Sequence, residues 1–82
     1  MDLKVRMLLG KVKEREVMYL RQLELCKKYL YDYEISYDNM EKETLKYLLY
    51  TMNMSEGIIA DALEVEQKDI VKLCIQWNLY NR

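Results

Sequence analysis

Few side chains in this sequence could carry out covalent chemistry. There is no histidine, the one residue whose ordinary pKa suits proton transfer near neutrality. Ser36 and Ser55 each fall at an expected helix boundary, which accounts for both without a nucleophile. Asp61 and Glu64 stand about one turn apart on a short helical segment, a spacing usual for solvated surface carboxylates. Cys26 and Cys74 fall on apolar helix faces, as buried free thiols do. Without histidine or a paired cysteine motif no zinc site is expected, and no glycine-rich phosphate loop occurs. The chain reads as a non-enzyme that needs no cofactor, and its charged and aromatic residues point to recognition.

The charge is divided along the chain. Residues 1–30 hold eight basic against four acidic residues, a net of +4, and residues 31–82 hold five against ten, a net of −5. Lys4, Lys11, Arg15, Arg21, Lys27 and Lys28 are therefore candidates for contact with phosphate or with an acidic partner. The competing account is the solvated face of an amphipathic helix. Tyr29, Tyr31, Tyr33 and Tyr37 crowd the end of this basic stretch, joined by Tyr47 and Tyr50. Neighbouring odd positions point to different sides of a helix, so some of these rings must be exposed, where they favour partner contact; the rest pad a core that lacks phenylalanine.

The elements that position these residues are helices. The chain has 82 residues, no proline and two glycines, and 51% of it is apolar. That composition suits one folded all-α domain near the lower size limit for a self-sufficient core. No apolar run is long enough to span a membrane, and the mixed charges of the N-terminus do not resemble a signal peptide, so a cytoplasmic protein with reduced cysteines is expected. Four helices are predicted. The first runs from Asp2 to about Ser36, roughly 50 Å at 1.5 Å per residue. Along it Leu9, Val12, Glu16, Tyr19, Leu23, Cys26, Leu30, Tyr33 and Tyr37 step by three and four residues, a heptad-like seam broken at Glu16. The seam is too long for three short helices to cover, so part of it, Tyr19, Leu23, Cys26, Leu30 and Tyr33, is expected to pair with a second copy as a homodimer. Asp38 or Asn39 should cap a second helix over residues 41–52. Ser55 should cap a third over 56–63, a turn follows at 64–65, and a fourth runs over 66–78. Leu79 to Arg82 should fray.

Residues 54–77 carry the spacing of a helix-turn-helix, Ile59-Ala60-x2-Leu63-x-Val65-x4-Ile70-x2-Leu73. The small Ala60 permits close approach, and the apolar positions fill the space between two steeply crossed helices. Preceded by an amphipathic helix over 41–52, the unit resembles region 4 of bacterial sigma factors and the small phage regulators built on that plan. By that resemblance Glu66, Gln67, Lys68, Val71 and Lys72 fall where a recognition helix faces base edges. Gln67 would read adenine, the lysines guanine or phosphate, and Glu66 cytosine. The implied role is a DNA-binding transcriptional regulator that acts on double-stranded DNA. The same segment, however, sets Lys68 and Lys72 against Glu56, Asp61, Glu64, Glu66 and Asp69, a net of −3, whereas phosphate binding draws its affinity from positive charge. The alternative is a regulator or inhibitor that binds RNA polymerase or another protein through an acidic surface.

Overall fold

The computed structural model describes the backbone of residues 3–80 and the side chains of residues 15–80. Over that range the chain is all α, four helices with no strand. Helix α1 is Leu3–Asp32. It ends before the expected Ser36 because Glu34 adopts a left-handed conformation, φ 54°. The Glu34 N–H donates to Tyr31 O at 3.2 Å and the Ile35 N–H to Leu30 O at 2.8 Å. This bond pair closes a helix in the Schellman manner. Asn39 does not cap the next helix as expected. Its side chain accepts the Ser36 N–H at 2.8 Å and donates to Glu34 O at 3.0 Å, which locks the connecting loop instead.

Helix α2, Lys42–Lys46, starts at Glu41 without a side-chain cap and passes directly into a π-helical turn, Tyr47–Thr51. The expected second helix is thus α-helical for only its first part. The wider turn, in which the Met52 N–H reaches Tyr47 O at 2.9 Å, carries Leu48 into the core beside Leu45; both are fully buried. Ser55 begins α3, Glu56–Leu63, as expected: its hydroxyl accepts the Ile58 N–H at 3.2 Å. Helix α4 is Gln67–Gln76.

The core joins all four helices. Cys26 and Leu30 come from α1, Leu45 and Leu48 from α2 and its π turn, Ile58, Ile59 and Ala60 from α3, and Ile70 and Cys74 from α4. Met40, Met54 and Leu79 enter from the connecting segments. Leu79, expected to fray, is instead 4% exposed. Its N–H donates to Cys74 O at 2.8 Å, and its carbonyl accepts the Tyr50 hydroxyl. Burial of an apolar side chain outweighs the entropy of a free end here.

Every described C-terminal helix end, at Glu34, Asn53, Glu64 and Asn78, reverses through a non-glycine residue with φ between 54° and 59°. A left-handed L-residue costs roughly 1–2 kcal/mol, less for asparagine. Glu64 is exposed, φ 59°, so its side chain gives up nothing buried when removed. Glu64→Gly should therefore stabilise the protein by about 1 kcal/mol. A thermal midpoint raised by about 4–8 °C would record this, and a lowered one would mean that the carboxylate holds the turn.

Candidate functional site

Helix α4 is anchored on one side and open on the other. Ile70 and Cys74 are buried, and Leu73 and Trp77 pack half-buried beside them. Turned outward are Lys68, Lys72 and Ile75, which share one stripe at intervals of four and three residues. Val71 flanks it half-buried. Ile75, 66% exposed, was not singled out in the sequence, although its spacing from Lys68 and Lys72 places it on their face.

The five positions expected to face a ligand therefore divide. Lys68 and Lys72 lie on the outer stripe, with Val71 at its half-buried edge. Glu66 is the residue just before the helix, and its N–H donates to the Asp69 carboxylate at 3.3 Å. These two acids thus favour the positive end of the α4 dipole. The Glu66 carboxylate also pairs with the Lys68 ammonium at 2.9 Å, both side chains being 70% exposed. Such a solvated pair contributes less than about 1 kcal/mol, and it partly neutralises one of the two lysines on α4. Gln67 leans toward the first turn of α3. A Cβ added at Gly57 would lie 3.6 Å from Gln67 Oε1, so this side chain is shared between both helices.

The α3–α4 segment is otherwise acidic: Asp61, Glu64 and Glu66 are exposed and Glu56 and Asp69 half-buried. Two of these acids are held by phenols. The Tyr19 hydroxyl donates to Asp61, fastening α1 to α3, and the Tyr80 hydroxyl donates to Glu56 Oε1 at 3.1 Å. Burial raises the Tyr80 phenol, and the bond to Glu56 adds to this. Cys26 and Cys74 are buried free thiols; desolvation raises Cys26 to about 11. A thiol so raised is almost wholly protonated at neutral pH and a poor nucleophile.

Among the described residues the basic side chains of α1 do not gather into one patch. Arg15, Arg21, Lys27 and Lys28 are all exposed, but Lys27 and Lys28 diverge by about 100° as neighbours in a helix. Arg21 and Lys28 border a shallow hollow together with Glu24 and Leu25. Lys4 and Lys11 lie outside the residues whose side chains are described. The expected dimer seam needs correction. Cys26 and Leu30 lie inside the chain's own core, and Leu23 packs against it. Tyr19 is engaged with Asp61, and Tyr33 is exposed beside Tyr29. The outward apolar residues of α1 are instead Val17, Met18, Leu20 and Leu25. Met18 and Leu25, seven residues apart, share one face that the heptad reading passed over, while Val17 and Leu20 point away from it.

Among the described residues no cluster of three metal-ligating side chains occurs. No helix there is long and apolar enough to cross a membrane. No known protein family, curated protein or solved structure matches the chain.

Proposed function

We propose that the chain is a small DNA-binding transcriptional regulator of bacterial or phage type, with residues 56–76 used as a helix-turn-helix and α4 as its reading helix. The observation that carries this is the outward pair Lys68 and Lys72, flanked by half-buried Val71 and backed by buried Ile70 and Cys74. A helix fixed from behind, with long polar and short apolar side chains in front, suits entry into a major groove. Ile75 extends the stripe and offers an apolar contact for thymine methyl groups. Self-association, if the regulator is a homodimer, would use the outer α1 residues Met18 and Leu25 in place of Cys26 and Leu30.

The second reading is a protein-binding regulator whose partner, an RNA polymerase or another protein, is basic. The exposed carboxylates of Asp61, Glu64 and Glu66 favour it, because they would repel phosphate. The discriminating experiment is a salt series of binding to random and genomic duplex DNA. If α4 meets the duplex, Lys68→Glu combined with Lys72→Glu abolishes binding. Loss of one lysine contact should lower the salt slope by about one. Unchanged binding by the double variant would remove α4 from the interface. Absence of binding by the native protein at low salt would leave the protein-partner reading.

A further inference from the structure

A second candidate site lies away from α4, where the end of α1 meets the start of α2. The hollow there measures about 330 Å³, and its lining includes Tyr29, Tyr33, Glu34, Asn39 and Glu41. The rings of Tyr29 and Tyr33 stand 4.7 Å apart and tilted by 42°, and Tyr47 stacks on the other partner, Tyr29, at 5.3 Å. Tyr33 is 67% exposed, more than core packing would leave. The loop residues of the lining are held by the chain's own hydrogen bonds. The side chain of Asn39 bridges Glu34 O and the Ser36 N–H, and Glu34 is held at the closed end of α1. Among the described residues neither Glu34 nor Glu41 makes an ion pair.

Electron-rich ring faces beside two unpaired carboxylates repel anions and attract a cation. A guanidinium fits better than an ammonium: it is planar, weakly hydrated, stacks on rings and offers a fork of donors to a carboxylate. We propose that this hollow is a binding site for a guanidinium group, the side chain of an arginine presented by a partner protein. The site stands apart from α4 and does not depend on what α4 meets. On this view the tyrosines at the end of α1 form the aromatic wall of a cation site, with Glu34 and Glu41 supplying the charge.

The test is a titration of the full chain with N-acetyl-arginine amide, followed by the ring resonances of Tyr29, Tyr33 and Tyr47. The lysine analogue and tetramethylammonium are run beside it. Saturable shifts confined to these rings are expected with arginine, and several-fold weaker binding with lysine. Glu34→Gln with Glu41→Gln should weaken the arginine response at least about tenfold, as loss of charge-assisted bonds requires. Tyr33→Ala should abolish it while Tyr33→Phe retains it, and the same spectra report whether each variant is folded. The proposal is overturned if no saturable shift appears up to about 50 mM, beyond the weakest affinity that stacking with an ion pair would give. It is equally overturned if the neutral double variant binds as well as the native chain, or if lysine or tetramethylammonium binds as tightly as arginine. An arginine supplied by a second copy would appear as ring shifts that grow with protein concentration alone, and that result would replace the separate partner.

Discussion

Leu30→Asp should leave the chain unfolded at every protein concentration. Leu30 is 4% exposed and sits in the core beside Cys26. The substitution removes a buried leucine, a loss of about 2–5 kcal/mol, and asks a carboxylate to enter apolar surroundings at a further cost of several kcal/mol. At roughly 0.05–0.15 kcal/mol per residue, a chain of 82 residues has little or nothing left. Loss of the cooperative transition in circular dichroism, unchanged on concentrating the sample, is the expected record. Leu25→Asp is the control. At 57% exposed it should shift stability by no more than about 0.5 kcal/mol, and it should weaken self-association if the outer stripe of α1 is where a second copy sits. A folded Leu30→Asp monomer alongside a native dimer would instead restore the seam expected from the heptad spacing.

Ile59→Ala should cost about 2–5 kcal/mol. Ile59 is fully buried next to Ala60, which is 1% exposed, on the helix that packs on both α1 and α4. The cavity it leaves is shared among helices that cannot all close on it at once. Chemical denaturation should show a lower midpoint with an unchanged slope. A loss below about 1 kcal/mol would mean that the three helices repack freely. The neighbouring position fails in the opposite sense, because Ala60→Leu adds volume where none is free and costs about 1–3 kcal/mol by strain.

The helices themselves were legible. Apolar periodicity and the Ser55 cap placed α3 with its observed bounds, because a good N-cap is written in one residue type. The C-terminal ends at residues 53 and 64 were legible as turns, but those of α1 and α4 were not, since the usual signal is glycine and the chain uses Glu34 and Asn78 there. The π turn at Tyr47–Thr51 was equally hidden. An i to i+5 bond leaves almost the same apolar spacing over one turn, and the choice is made by how Leu45 and Leu48 meet the core. For the candidate site, the sequence placed Lys68 and Lys72 on one exposed stripe of a helix. It did not foresee that Glu66 would turn to Lys68, or that Gln67 would lean on α3. Those depend on how residues 64–66 reverse the chain. The spacing along α1 marks its seam with the correct period, but Cys26 and Leu30 fall in the part expected to meet a second copy, because the sequence alone does not reveal how much of α1 its own chain covers.

The left-handed helix ends share one further property. Each is followed at once by a side chain drawn inward: Ile35 after Glu34, Met54 after Asn53, Val65 after Glu64 and Leu79 after Asn78. The ends of these helices therefore cannot fray as isolated helices do, since unwinding the last turn pulls an apolar group out of the interior. Local opening is thereby tied to the opening of the whole. The amides of Ile35, Val65 and Leu79, each bonded across a helix end, should exchange with solvent deuterium at the rate of global unfolding. Helix termini that ordinarily exchange first would here be among the last.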